Sequence, residues 1–120
     1  MSVTTSSILN LEELLGRVDG DRELLTELFF IFKSGFPANF QRLKAAFQDH
    51  DARKLELEGH MLKGMLLNLS APRAASAASA IEHLGRKKEL NGLHQLLSDL
   101  EFEVEVLILH MDEYTGELRS

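Results

Sequence analysis

Apolar residues recur at spacings of three and four from Ile8 to Leu109, the interval at which one side of an α-helix comes round again. Glu101 to Val106 alternates as a strand would, but it lies within a longer run of helix formers and is assigned to helix. A short first helix is expected over Asn10 to Arg17, with Asn10 as N-cap, Glu12 and Glu13 in the first turn, and Leu11, Leu14 and Leu15 on one face. Asp19-Gly20 ends it, and a second helix opens at Asp21. Its Leu24, Leu25, Leu28, Phe29, Ile31 and Phe32 are too many for one narrow stripe and demand broad burial. Gly35-Phe36-Pro37 predicts a bend or short break before Phe40, Leu43, Ala46 and Phe47 resume the helical spacing. After the turn Asp49-His50-Asp51, a third helix is expected over Ala52 to Leu69. Ser70 is placed to cap a fourth, with Pro72 in its first turn, running to about Lys88. Beyond Asn91-Gly92 a fifth continues to about His110.

Four substantial helices with short connections and one small leading helix predict an all-α fold, an antiparallel up-down four-helix bundle with a short extra N-terminal helix. Residues 1–7 are expected to be a disordered start, 8–111 the bundle and 112–120 a polar tail. The Ala/Ser-rich stretch Ala71 to Ala80 then serves as a face of small residues that lets the fourth helix approach its neighbours closely.

At 120 residues the chain is the size of one domain, and it contains no cysteine, which leaves no disulfide, thiolate metal site or thiol nucleophile. With 13 basic and 19 acidic residues the net charge is −6, which repels phosphate backbones and anionic lipid, so no nucleic acid partner is expected. The densest apolar runs, Leu28 to Phe32 and Val106 to Leu109, fall far short of the roughly 20 residues that span a bilayer. No secretory leader is recognisable at the start. A cytoplasmic monomer is the expectation.

Helical bundles often hold two metals through paired Glu-x-x-His repeats. Three residues before His50, His60, His83, His94 and His110 stand Phe47, Leu57, Ala80, Asn91 and Leu107, so that motif is missing and no metal site is expected. There is no Gly-x-Ser-x-Gly elbow and no glycine-rich nucleotide loop, and no cofactor is expected either. His60 is different. On the third helix Leu55, Leu62, Met65, Leu66 and Leu69 gather on the side opposite it, so His60 points outward. Lys63 and Gly64 follow by three and four residues, on the same face within one turn. An outward imidazole, of a type that titrates near neutrality, beside a cation and a missing side chain suits a nucleophile that accepts a phosphoryl group. On spacing alone, a chance surface histidine remains an open alternative.

His60-Met61-Leu62-Lys63-Gly64, with Asn68, Leu69 and Ala71 further along, resembles the His-x-Leu-Lys-Gly signature of histidine-containing phosphotransfer (HPt) domains. Asp21-Arg22-Glu23-Leu24-Leu25, the Asp49 to Asp51 turn and Ile81-Glu82 are similar to their counterparts there, so the resemblance spans about residues 8–110. It implies a four-helix bundle with an extra N-terminal helix. It also implies His60 as the phosphorylated residue, Lys63 as the supporting cation and Gly64 as the clearance position. The partners implied are response-regulator receiver domains or a hybrid histidine kinase, with phosphoryl received from one receiver aspartate and passed to another. The chain would then be a phosphocarrier that does not itself bind ATP. It departs from the pattern at Gly59, where a small apolar residue is usual, at Met65 and Leu66, where small residues are usual, and at Glu58, where an apolar one is.

Around His60 lie Leu57, Met61, Gly64 and Leu67, with Arg53, Glu56, Lys63 and Asn68 near the edge. This is either a docking patch for a partner, with Arg53, Leu57, Met61, Leu67 and Asn68 as its contacts, or a surface partly covered by the second helix. The departures motivate a second functional expectation, a helical adaptor that binds a response regulator or other signalling protein without phosphoryl chemistry. His50, His83, His94 and His110 are expected to be surface or half-buried residues without function.

Overall fold

Helix starts and stops are written locally. A computed structural model describes residues 7–119 and contains helices α1 (Leu11–Arg17), α2 (Arg22–Gln48), α3 (Ala52–Asn68), α4 (Pro72–Lys87) and α5 (Leu93–Arg119). Asn10, Asp21 and Asp51 cap α1, α2 and α3 by accepting from the backbone N–H three residues on, at 3.1, 3.0 and 3.0 Å. Each of the first four helices ends on a left-handed residue, Asp19, His50, Ser70 and Lys88 in turn. The next N–H then reaches back to a carbonyl of the last turn, as from Asp51 to Ala46 at 2.8 Å and from Ala71 to Leu66 at 3.0 Å.

α2 to α5 form the expected bundle, 46 Å along its longest axis, in keeping with about 40 Å for a straight helix of 27 residues such as α2. Its core runs through every helix: Leu25, Phe29, Phe32 and Leu43 of α2, Leu55, Leu62 and Leu66 of α3, Ala74, Ala78 and Ile81 of α4, and Leu93, Leu100 and Leu107 of α5. Each fully buried leucine or phenylalanine contributes about 2 kcal/mol through removal from water. α1 lies on the end of α3. Arg17 donates to the carbonyls of Leu67 and Asn68 at 2.7 and 3.0 Å, the Asn10 N–H donates to Ser70 O at 2.9 Å, and Leu14 is buried beneath.

Three expectations need correction. α2 runs through Pro37 as one helix, so the expected short break is not there. Proline in a helix interior costs about 3 kcal/mol, but Phe32, Phe36 and Phe40 stack in succession, with centroids 5.8 and 5.6 Å apart, and their burial on both sides of Pro37 keeps the helix continuous. Ser70 does not cap α4, whose N-cap Ala71 has no side-chain bond. Ser70 is the left-handed residue closing α3, and its hydroxyl donates to Glu13 at 2.7 Å. α5 does not stop near His110 but continues to Arg119, because Met111 and Tyr114 are still core positions. The Tyr114 ring meets Phe29 edge-on at 6.0 Å and its hydroxyl accepts from Arg22 at 2.8 Å, so much of the expected tail is helix. Apart from Ser7, the expected disordered start lies outside the described residues.

The tightest contact joins α3 and α4, and it is backbone on backbone. A Cβ added at Gly85 would stand 2.6 Å from Glu56 N and 2.8 Å from Ala52 O, and one at Gly59 would stand 2.9 Å from Glu82 N. Gly59, a departure from the family pattern in sequence, is a packing requirement in three dimensions. Gly85→Ala is therefore expected to lower stability by about 1–3 kcal/mol, because rigid backbone must move. Gly35→Ala, in mid-helix with no atom within 4 Å of the new carbon, should raise it by about 0.5–1 kcal/mol. Thermal unfolding of the two variants beside the parent chain checks both signs.

Candidate functional site

Where α3 and α4 touch at Gly59, the next side chain on α3 is His60 and the side chain beneath it on α4 is Glu82. The His60 side chain is 66 % exposed and that of Glu82 only 5 %. His60 Nδ1 lies 2.9 Å from Glu82 Oε2, Lys63 Nζ lies 2.6 Å from Oε1, and the Arg86 guanidinium donates to Oε2 at 2.8 Å. Three groups from two helices converge on one buried carboxylate. Arg86 also reaches Glu56 at 3.3 Å, and Glu56 accepts from Arg53 at 3.2 Å.

The hydrogen bond from Lys63 holds the Glu82 carboxyl below its ordinary value of 4.5; burial opposes this, and the contact with His60 adds to the lowering. An ionised carboxylate only accepts hydrogen bonds. In the neutral imidazole the proton facing Glu82 therefore sits on Nδ1, and the lone pair is on Nε2, at the exposed side of the ring. A lone pair on an outward nitrogen is a nucleophile, and when it forms a bond the ring gains positive charge next to a fixed negative one.

Gly64 stands one turn along α3 with open space where a side chain would be. Leu57, Met61 and Leu67 are about half exposed, so the second helix does not cover them, and Arg53 and Asn68 are exposed as well. Arg53 belongs to the rim of the ionic cluster through its bond to Glu56. Asn68 and Leu67 lend their carbonyls to Arg17, which ties this end of the patch to α1. Glu58, turned towards the bundle, finds its basic partner in Arg42 of α2 at 3.0 Å. Among the described residues no group of three or more His, Asp or Glu is arranged to hold a metal, and no helix is long and apolar enough to cross a membrane.

Glu82 and Arg86 received no role from sequence. Glu82 falls four residues after Ala78 and three before Gly85, on the stripe of small residues recognised as the close-packing face of the fourth helix. An acid on a buried stripe needs partners, and that mismatch was the available signal. Lys63 could be reached from His60 by helical spacing, but its meeting with both on one carboxylate depends on the α3–α4 contact.

A family model described as the Hpt domain matches residues 27–114, a span that includes His60, Lys63, Gly64, Glu82 and Arg86. No curated protein and no solved structure matches the chain.

Because the carboxyl of Glu82 is held below its ordinary value, the stability it contributes is complete above about pH 4.5 and is lost as pH falls through the lowered value. Acid unfolding followed by circular dichroism should show this loss, and Glu82→Gln should flatten that part of the curve. A Gln variant with the parent's acid profile would contradict the assignment.

Proposed function

The chain belongs to the Hpt domain family, whose members are phosphotransfer modules of phosphorelay signalling, and on that premise we propose that His60 accepts phosphoryl from a receiver-domain aspartyl phosphate and passes it to another receiver. The observation that carries this reading is the exposed Nε2 of an imidazole whose Nδ1 is held by the buried carboxylate of Glu82. In the forward step the Nε2 lone pair attacks phosphorus, the aspartyl O–P bond breaks, and its electron pair leaves with the aspartate carboxylate. The Nδ1 proton stays in place, so the phosphorylated ring is cationic and Glu82 Oε2 offsets that charge. Lys63 is within one turn of the same nitrogen and neutralises phosphoryl oxygens. Transfer to a second receiver is the reverse step with a new aspartate. The Mg²⁺ that assists at the aspartate is the receiver's.

Gly64 gives the donor access, and the half-exposed Leu57, Met61 and Leu67 with Arg53 and Asn68 make the docking surface. The acidic composition, with net charge −6, keeps nucleic acid away from it, and in this reading the module works in the cytoplasm as a monomer. The adaptor alternative drew on Gly59, Met65 and Leu66. Gly59 and the buried Leu66 now have packing reasons that leave the His60 site intact, so no observation favours it.

Incubation with a phosphorylated receiver should put an acid-labile, base-stable label on the chain, and His60→Gln should take none; a labelled His60→Gln variant sinks the assignment. Lys63→Ala should keep the fold and shorten the phosphohistidine lifetime, and an unchanged lifetime and transfer rate would count against its role. Gly64→Gln should slow transfer from the receiver by about 10- to 100-fold through lost approach geometry. Its labelling by phosphoramidate, a donor too small to need the clearance, should remain at the parent rate.

A further inference from the structure

Glu82 is served by two cations, one on each carboxylate oxygen. Lys63 occupies Oε1 at 2.6 Å, and Arg86 occupies Oε2 at 2.8 Å alongside His60 Nδ1 at 2.9 Å. The two cations are not equivalent. Lys63 stands on α3 one turn from His60, with a flexible stem and a compact charge, so it is the one drawn away as a dianionic phosphoryl group approaches Nε2. Arg86 stands on α4, four residues beyond Glu82, and its guanidinium is gripped on another side by Glu56 at 3.3 Å. It is always charged and has several donors in a fixed plane.

A carboxylate 5 % exposed that loses its only cation is severely penalised and takes up a proton instead. A protonated Glu82 would no longer require the proton of the imidazole to sit on Nδ1. The groups facing the carboxylate are Lys63 and His60 from α3 and Arg86 from its own helix, with Glu56 of α3 behind Arg86. While the phosphoryl group approaches and the ring is still neutral, Arg86 alone remains to hold the carboxylate once Lys63 turns away.

We propose that Arg86 is a positioning residue of the site: it keeps Glu82 ionised, and thereby the still neutral His60 in the Nδ1–H form, while Lys63 turns to the incoming phosphoryl group. This rests on His60 as phosphoacceptor only for the part played by Lys63; the hold on Glu82 is a property of the unphosphorylated protein. Glu56 and its second partner Arg53 then act as the backstop that fixes the guanidinium between the two helices.

The test removes Lys63 by mutation, as an incoming phosphoryl group would draw it away, and reads the His60 tautomer by ¹⁵N NMR of the imidazole at about pH 8, where histidine is ordinarily neutral. Lys63→Gln should keep the parent's Nδ1–H signature. Lys63→Gln with Arg86→Gln should lose it, and Lys63→Gln with Arg86→Lys should restore it. A double glutamine variant that keeps the parent signature overturns the proposal, as does its loss in Lys63→Gln alone. If only the double glutamine variant fails to fold while the other two do, the dependence of Glu82 on Arg86 is supported directly. Labelling with phosphoramidate provides the second readout: Arg86→Gln should be slowed about tenfold, within the range of coupled neighbours, and Arg86→Lys much less. An Arg86→Gln rate equal to the parent's overturns the part concerning Lys63. Label retained in His60→Gln would instead overturn the phosphoacceptor assignment and leave the tautomer result standing for Arg86.

Discussion

The contact of two helix backbones at Gly59 and Gly85 is the constraint on which the site depends. Side chains normally hold helices 8–10 Å apart, but here the carbons that would enforce such a distance have no room, at 2.9 Å from Glu82 N and 2.6 Å from Glu56 N. The close approach brings a carboxylate rooted on α4 directly under an imidazole rooted on α3. The same approach carries Arg86 across to Glu56. At either glycine an added methyl group would push the two halves of the site apart.

Burial and exposure are divided between the two helices in a way that suits the chemistry. The carboxylate is enclosed, and therefore rigid and strongly felt at short range. The imidazole is open, so a second protein can reach its outer nitrogen. An enclosed charge is tolerated because Lys63, His60 and Arg86 all donate to it, and among the described residues no buried side-chain nitrogen or oxygen lacks a partner. The rest of the bundle supports this arrangement at a distance. The phenylalanine stack carries α2 past Pro37 without a break, and Arg42 beyond it lies opposite Glu58. α1 closes the carbonyl end of α3 through Arg17, beside the exposed Leu67 that borders the docking patch.

Sequence expectations failed where long-range packing outweighed a local rule. Pro37 and Gly35 carry a break signal, yet the apolar period on both sides continues in phase, and burial of that stripe outweighs a missing hydrogen bond. Ser70 is a good cap residue, but the left-handed turn after α3 claims it and offers its hydroxyl to Glu13 of α1. α5 outruns its expected end because Met111 and Tyr114 keep the core period on either side of the polar Asp112 and Glu113, and Tyr114 meets α2. Glu58, puzzling alone, is explained by a residue 16 positions earlier.

Everything governed by neighbours one turn apart was legible in the chain itself. The helical period, the Asn10, Asp21 and Asp51 caps, the outward face of His60 and the proximity of Lys63 and Gly64 follow from spacing along a single helix, and the His-x-Leu-Lys-Gly run identifies the family. What only the tertiary structure decided is how that face is charged. Glu82 and Arg86 lie 22 and 26 residues beyond His60 by number, on another helix, and their effect depends on a contact distance that composition and period do not encode. Hydrogen bonding and desolvation act over a few ångströms, so the tautomer of His60 could be read only once the two glycines had brought the backbones together.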